Sequence, residues 1–198
     1  MDRILKAEGL NPDDYKLAKQ ADTLMVFYNL TDKEINETFA GLGYELPADY
    51  KIKNFYYYIS RTSHGSSLSR VVHAYLAYKW DIKELAEVLY KEALLSDYVD
   101  IQGGTTAEGI HTGVMAASVM YVLNSYAGAE FKDKVLSLSP SLPNNWHRCK
   151  SSFDFRNVNY RIIMNQDSFN IKTNKDVGLK IFNSSCIIEK DEWWNIDC

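Results

Sequence analysis

The 198-residue sequence has few cysteines, no basic run and no long apolar stretch, and each shortage excludes a class of protein. Its three cysteines form no C-x-x-C pair, so zinc and redox motifs have no support and reduced, buried thiols are expected. The apolar stretches are shorter than a membrane span or a signal-peptide core, which favours a soluble cytoplasmic protein without a membrane partner. With 22 basic against 26 acidic residues and no Lys/Arg stripe, a nucleic-acid partner is not expected.

Several catalytic signatures are missing as well. Gly65-Ser66-Ser67 lacks the second glycine and the preceding strand of a G-x-S-x-G elbow. Gly103-Gly104 is followed neither by the lysine of a P-loop nor by a dinucleotide-binding G-x-G-x-x-G pattern. No metal site is expected either, because metal-ligand spacing is absent from the four histidines, which are His64, His73, His111 and His147.

The composition predicts a folded chain, and the spacing of its apolar residues changes near residue 130. The composition is 46% hydrophobic and 13% aromatic, which is ample for a buried core and excludes a disordered chain. Fourteen tyrosines and four tryptophans exceed what a core of this size needs, and they hint at a polar-aromatic cleft or interface. Before residue 130, the spacing of apolar residues predicts helices over residues 13–30, 31–39, 66–80, 82–95 and 107–127. Loops are predicted at residues 41–53 and 100–106.

Beyond residue 130 the apolar period becomes two, which is typical of strands with one wet face. The alternating segments are 135–138, 153–164, 169–171 and 179–181, whereas the tail from Ser184 shows no clear period. The sequence therefore predicts a segregated α+β fold, with a helical domain over 1–130 and a small antiparallel β-domain with an irregular tail over 131–198.

Two polar clusters in the helical part could carry chemistry. Lys19-Gln20-Ala21-Asp22 interrupts an apolar helical pattern, although the solvated edge of an amphipathic helix would explain it as well. The segment Ser63–Ser69 supplies four serines, a histidine and a glycine at the start of a helix. Hydroxyls and free N–H groups at a helix N-terminus suit an anion, and simple N-capping is the alternative.

A third cluster runs from Gly103 to His111. Thr105 and Glu108 have the spacing of a capping box, which is a sufficient structural explanation for Glu108. His111 is expected one turn inside the following helix. Either it is a satisfied core histidine or, since imidazole titrates near neutrality, it carries charge against a phosphate.

These clusters also carry a resemblance to a known family. KQAD (19–22), NFYYYISRTSHGSSLSRVVHA (54–74) and DIQGGTTAEGIHTGVMA (100–116) resemble glycoside hydrolase family 65 in order and spacing. That family contains the maltose, trehalose and kojibiose phosphorylases and some related hydrolases. The stretch L-x-L-x-P-x-L-P (136–143) resembles the opening of the family's C-terminal sheet, and the likeness covers about residues 10–183.

The resemblance implies helices of a partial (α/α)6 barrel followed by a small C-terminal β-domain. It implies inverting phosphorolysis of an α-linked glucose disaccharide to β-glucose 1-phosphate, with inorganic phosphate as co-substrate and no cofactor. Lys19 and Gln20 would contact the sugar. Ser66, Ser67 and His111 would bind the phosphate, so we expect these three side chains to converge on one pocket.

The chain also departs from the family pattern, since family members are several times longer and carry their general-acid glutamate upstream of the Lys-Gln segment. Neither Asp2 nor Glu8 matches that motif, so the chain resembles a C-terminal third, has no assigned catalytic residue, and is expected to be inactive alone. It would need an N-terminal partner chain, or it would self-associate through exposed barrel faces. One alternative is part of a family 65 hydrolase, in which a carboxylate, with Glu108 as the candidate, activates water in place of phosphate. The other alternative is an inactive remnant or binding module.

Overall fold

The computed structural model describes residues 2–11, 14–15, 17–64, 66–99, 109–131 and 135–197. In these ranges the helices precede the strands, so the predicted α+β class is confirmed. The chain divides into two compact units, residues 1–118 and residues 119–198. The domain boundary predicted between residues 130 and 131 stays a prediction, as does the cytoplasmic location.

The first unit is helical, and its last helix runs on into the second unit. None of the described helices is long and apolar enough to cross a bilayer. The helices are α1 (Asp2–Ala7), α2 (Met25–Asn29), α3 (Asp32–Gly41), α4 (Tyr50–Ile59), α5 (Leu68–Lys79), α6 (Lys83–Leu95) and α7 (Thr112–Tyr121), which continues as a π-helical turn (Val122–Tyr126).

Helix α5 is the central helix of the first unit, because buried residues lie on most of its faces. Leu76 of α5 and Phe55 of α4 are fully buried in one apolar cluster. The ring of Trp80 packs edge-on against Phe55 and Phe27, with centroids 5.7 and 5.4 Å apart. This packing fixes α5, and with it the serine-rich segment that precedes the helix.

The predicted helix over residues 13–30 is wrong in its first half, although residues 12, 13 and 16 lie outside the described chain. A helix begins only at Met25. The backbone of Ala18 instead forms a parallel bridge to Thr62, and these long-range hydrogen bonds replace those that a helix would make. Helix α4 was missed because residues 41–53 were interpreted as a loop, whereas the helix begins at Tyr50.

The second unit holds two sheets instead of the single meander that the alternation predicted. The strands are β1 (Ser137–Leu138), β2 (Arg148–Phe155), β3 (Val158–Asn165), β4 (Ser168–Thr173), β5 (Val177–Ile181), β6 (Ser184–Ile188) and β7 (Trp193–Asp197). Strands β2, β3, β4 and β7 form an antiparallel sheet in that order, and β5 lies between β1 and β6, parallel to β1. The tail that showed no period contributes both β6 and β7.

The four-stranded sheet has one buried face and one wet face. Tyr160, Ile162 and Met164 of β3 are each at most 2% exposed, and they alternate with polar or half-buried residues. Cys149 and Cys186 are unpaired thiols, and burial raises the pKa of both. Cys198 lies outside the described residues.

Gly128 joins the π-helical turn to the strands with a left-handed φ of 57°. A Cβ atom at this position would lie 2.3 Å from the carbonyl oxygen of Ser139. The close backbone approach is held by hydrogen bonds from the Ser139 N–H to the Ala127 carbonyl (3.1 Å) and from the Ser141 N–H to the Tyr126 carbonyl (2.7 Å). Only glycine fits this turn without moving the backbone.

Candidate functional site

The fold brings the Lys19 segment alongside the Ser63 segment. The Ala18 N–H donates to the Arg61 carbonyl at 3.0 Å, and the Ser63 N–H donates to the Ala18 carbonyl at 2.8 Å. The Ser63 hydroxyl also donates to the Lys19 carbonyl at 3.5 Å. Two clusters that the sequence presents 44 residues apart are therefore neighbours in the folded chain.

Lys19 and Gln20 themselves lie on the surface of this junction, and both are exposed. The side-chain amide of Gln20 donates to the Asp22 carboxylate at 2.9 Å. The exposed positions fit a solvated edge as well as a ligand contact, so the sugar-binding role assigned to Lys19 and Gln20 stays a prediction.

The segment before α5 has a fixed, uncommon backbone. His64 has a φ of 50°, in the left-handed region that few residues other than glycine adopt. Its Nδ1 atom lies 3.0 Å from the Ser69 hydroxyl, and its carbonyl accepts a hydrogen bond from Arg70 Nη1 at 3.5 Å. Arg70 is itself held by Glu92 of α6, with Nε donating to Oε2 at 2.8 Å. These contacts anchor the segment to α5 and α6.

His64 packs edge-on against His73, with ring centroids 5.0 Å apart. His73 is fully buried, and its Nδ1 donates to the Ser69 carbonyl at 2.7 Å. Burial lowers the pKa of both imidazoles, and for His64, where the charges of His73 and Arg70 add to the effect, the pKa falls to about 4. Both rings are therefore neutral near pH 7, and their role is to position the segment.

Ser66 and Ser67 stand where the prediction placed them, immediately before α5. Ser67 occupies the N-cap position and is buried, yet its hydroxyl makes no capping hydrogen bond to the helix. Ser66 is half-buried. The capping alternative therefore does not explain Ser67, and the phosphate-binding role assigned to Ser66 and Ser67 stays a prediction.

His111 lies just before α7, outside the helix in which it was expected. Its Nδ1 lies 2.6 Å from Oδ1 of Asp97, and its backbone N–H donates to Oδ2 at 2.9 Å. The hydrogen bond from the His111 ring is the main reason that the pKa of Asp97 is lowered. The His111 side chain is 28% exposed, so it is a partly exposed member of a carboxylate–imidazole pair and not a core histidine.

The sequence analysis missed Asp97. It lies two residues beyond the end of α6, in a position where an exposed acid would be unremarkable. Only the fold shows that its side chain, 9% exposed, holds both the backbone and the ring of a residue 14 positions away. No local spacing signals this pairing.

One apolar cluster relates these groups to each other. Val71 of α5, Ala93 of α6 and Val114 of α7 are buried together. Ser67 precedes Val71 by about one turn, and His111 precedes Val114 by three residues. This arrangement is compatible with the serine pair and the Asp97–His111 pair lying at one end of the three helices, but their convergence on one pocket stays a prediction. Residues 100–108, which include Glu108, lie outside the described chain.

Within the described ranges no three His, Cys, Asp or Glu side chains are grouped so that they could hold a metal ion. The chemistry that the described residues offer is hydrogen bonding from hydroxyls, backbone N–H groups and an imidazole that pairs with a carboxylate. Groups of this kind bind and orient an oxyanion.

Comparison with known proteins agrees with the motifs. The glycosyl hydrolase family 65 central catalytic domain matches residues 1–120, and the family's C-terminal domain matches residues 129–183. This chain belongs to glycoside hydrolase family 65, and the membership inferred from the three motifs is confirmed.

Several relatives of this chain are named as phosphorylases of disaccharides or of a disaccharide phosphate. A trehalose 6-phosphate phosphorylase of Lactococcus lactis is 39% identical over 92% of this chain and 24% of its own length. A maltose phosphorylase of Bacillus subtilis is 27% identical over 86% of this chain and 21% of its own length. The chain thus spans about a quarter of the length of the first of these relatives and about a fifth of the second.

A solved structure has the same fold. A putative kojibiose phosphorylase from the human microbiome superposes with a TM-score of 0.72 at 23% identity, over 92% of this chain and 22% of that structure. At this identity the likeness supports the fold, and the helices followed by a small β-domain are those that the family resemblance implied.

Proposed function

We propose that this chain supplies the sugar and phosphate contacts of an α-glucoside phosphorylase. Lys19 and Gln20 would contact the sugar, and Ser66, Ser67 and His111 would bind inorganic phosphate. The observation that carries the proposal is the Asp97–His111 pair, because a carboxylate that holds both the backbone and the ring of a histidine orients that ring for binding an anion.

The charges of the neighbouring groups support His111 as the histidine that binds phosphate. His64 and His73 are neutral near pH 7, since burial lowers the pKa of both. Arg70 is paired with Glu92. His111, when protonated, donates from both ring nitrogens, so that one can bond Asp97 while the other can bond a phosphate oxygen. Such charge-assisted hydrogen bonds contribute about 1.5–3 kcal/mol each.

The reaction in the whole enzyme would be an inverting phosphorolysis. A phosphate oxygen attacks the anomeric carbon, the bond from that carbon to the glycosidic oxygen breaks, and a carboxylic acid protonates the departing oxygen. The products are β-glucose 1-phosphate and the second sugar. Within this proposal the chain needs inorganic phosphate as co-substrate and no metal or organic cofactor, and the acid is a glutamate that the family carries upstream of the Lys-Gln segment.

A phosphorylated disaccharide is a second candidate for the substrate. The relative with 39% identity acts, by its name, on trehalose 6-phosphate, whereas the maltose phosphorylase is only 27% identical. Trehalose 6-phosphate therefore belongs in every substrate panel together with trehalose, maltose and kojibiose.

Phosphate binding by the chain tests the proposal directly. We would titrate inorganic phosphate into the chain with ¹⁵N-labelled histidines and follow the imidazole signals by NMR. The His111 signals should shift, and His111→Ala should weaken the affinity by at least about tenfold, the loss of one charge-assisted hydrogen bond. His147→Ala is the matched control, since this exposed histidine lies in the other unit.

Two results would argue against the proposal. Equal phosphate affinity in the wild type and in His111→Ala would remove His111 from the phosphate site. If the enzyme that contains this chain released glucose from a disaccharide at the same rate with and without phosphate, the family 65 hydrolase alternative would replace phosphorolysis.

A further inference from the structure

The wet face of the four-stranded sheet is a regular array of polar side chains. Strand register places one residue from each strand in a row across it, because residues directly opposite each other point to the same side. The first row is Ser152, Arg161, Lys172 and Trp193. The next row is Lys150, Ile163, Asn170 and Asn195.

Asparagine is unusually common on this face. Asn170 and Asn195 lie in the second row, and Asn159 and Asn165 lie at the two ends of β3. Asparagine is depleted in strands, so its repeated use here needs an explanation. Hydrogen bonds at the strand ends account for two of the four, since the Asn165 amide donates to the Ser168 hydroxyl at 2.9 Å. The Asn159 amide donates to the Ser152 hydroxyl at 3.3 Å and to the Asp154 carboxylate at 3.1 Å. This amide is thus held in a fixed orientation.

An aromatic platform completes the array. Trp193 is 48% exposed on the edge strand β7, in the row of Arg161 and Lys172. A cavity of about 160 Å³ adjoins this row and is lined by Arg161, Lys172 and four further residues, Asn159, Thr173, Asn174 and Asp191. Trp193 lies beyond residues 129–183, the range that matches the family's C-terminal domain.

The face carries charges of both signs. Four cations, Arg148, Lys150, Arg161 and Lys172, and three anions, Asp154, Asp191 and Asp197, lie on the strands or in the adjoining turn. A polyanion would meet repulsion from three carboxylates as well as attraction from the cations. Side-chain amides both donate and accept hydrogen bonds, which matches the dual character of sugar hydroxyls.

We propose that this sheet face, centred on Trp193, is a binding surface for a neutral oligosaccharide or polysaccharide chain. The indole ring would pack against the C–H face of a sugar ring, and the amides of Asn170 and Asn195 would bond its hydroxyls. Four strands at about 4.8 Å spacing extend about 14 Å, which is longer than a single sugar ring and suits consecutive ones. The surface belongs to residues 119–198 and does not depend on the proposed phosphorylase function.

The test is affinity electrophoresis of the chain in gels that contain glycogen, dextran, xylan or heparin, with maltoheptaose titrations for a dissociation constant. We expect retardation by at least one neutral polysaccharide. Trp193→Ala should weaken it about tenfold or more, as for other well-packed tryptophan contacts. Trp194→Ala is the matched control, because Trp194 is the next residue of the same strand, is 38% exposed and points to the other side of the sheet.

Unchanged thermal unfolding of both variants would show that the loss is not one of folding. The proposal is overturned if no neutral polysaccharide retards the wild type, or if both tryptophan variants lose binding equally. Retardation by heparin alone would also overturn it, since the ligand would then be an anion.

Discussion

Replacing Gly128 by alanine tests the close approach between the backbones of Gly128 and Ser139 in the second unit. The new Cβ atom would lie 2.3 Å from the Ser139 carbonyl oxygen, and two further backbone atoms of Ser139 lie within 2.8 Å. These neighbours are backbone atoms, so no side-chain rotation can relieve the overlap. The segments 126–128 and 139–141 must separate.

The cost follows from three contributions. A left-handed φ costs a residue with a Cβ atom about 1–2 kcal/mol relative to glycine. Separation of the two segments also breaks the hydrogen bonds that Ser139 and Ser141 donate to Ala127 and Tyr126, at about 1 kcal/mol each. The free energy of unfolding of residues 119–198 should therefore fall by about 3–4 kcal/mol, a large part of the total for a domain of this size.

The assay is urea unfolding followed by tryptophan fluorescence, because three of the four tryptophans lie in residues 119–198. Gly178→Ala is the control, since no atom lies within 4 Å of a Cβ at that position. Gly178 lies in β5, where alanine should be neutral or stabilise by about 0.5–1 kcal/mol. A Gly128→Ala midpoint equal to that of the wild type would refute the close approach and the reasoning built on it.

Four further predictions concern the first unit. Thr31→Ala removes the capping box of α3 and should lower the free energy of unfolding by about 1 kcal/mol in urea denaturation, whereas Thr31→Ser should change it little. The pKa of Asp97 is lowered in the folded protein, so its contribution to stability is present above the pKa of the unfolded state and is lost as pH falls through the pKa of the folded state. In a plot of the free energy of unfolding against pH, Asp97→Asn should therefore flatten the acid limb. His64, with a pKa of about 4, should cost the protein stability as pH falls from 6.5 to 4, and His64→Asn, which tolerates the left-handed backbone, should reduce that loss. A polypeptide of these 198 residues alone should release no glucose 1-phosphate from maltose, trehalose or kojibiose, and turnover would direct mutagenesis to Glu108.

Features fixed by neighbouring residues could be predicted from the sequence. The Thr31–Glu34 capping box is present in both directions, with the Glu34 N–H donating to the Thr31 hydroxyl and the Thr31 N–H donating to the Glu34 carboxylate. The helix over 82–95 was predicted to within a residue of α6, because its apolar face lies in one continuous segment. Propensity and periodicity are sufficient where no distant segment competes.

Distant hydrogen bonds explain the errors. Residues 17–24 have a helical pattern, but Ala18 pairs with Thr62 and the local preference is overridden. Strand β7 could not be predicted from the sequence, because Trp193 and Trp194 are both exposed on an edge strand and the burial of successive residues does not alternate. The parallel pairing of β1 with β5 joins segments about 40 residues apart, and only the fold reveals it.

For the candidate site, too, local motifs could be predicted from the sequence, whereas their spatial arrangement could not. Its motifs could be recognised one at a time, but their arrangement depends on α5, α6 and α7 packing around Val71, Ala93 and Val114. The two segments that were predicted separately at Lys19 and Ser63 meet through backbone hydrogen bonds that no side-chain pattern encodes.

The histidines of the first unit show how one residue type takes two roles through its surroundings. His64, which is half-buried, packs against the fully buried His73, and the loss of hydration keeps both rings neutral. Their hydrogen bonds therefore serve to hold the segment before α5 in place. His111 instead meets a carboxylate that accepts hydrogen bonds from its ring and its backbone. A phosphate ion needs a compensating positive charge, and Arg70 is already paired with Glu92. Within the proposed function, His111 is the imidazole assigned to the phosphate, and Asp97 is the group that positions its ring.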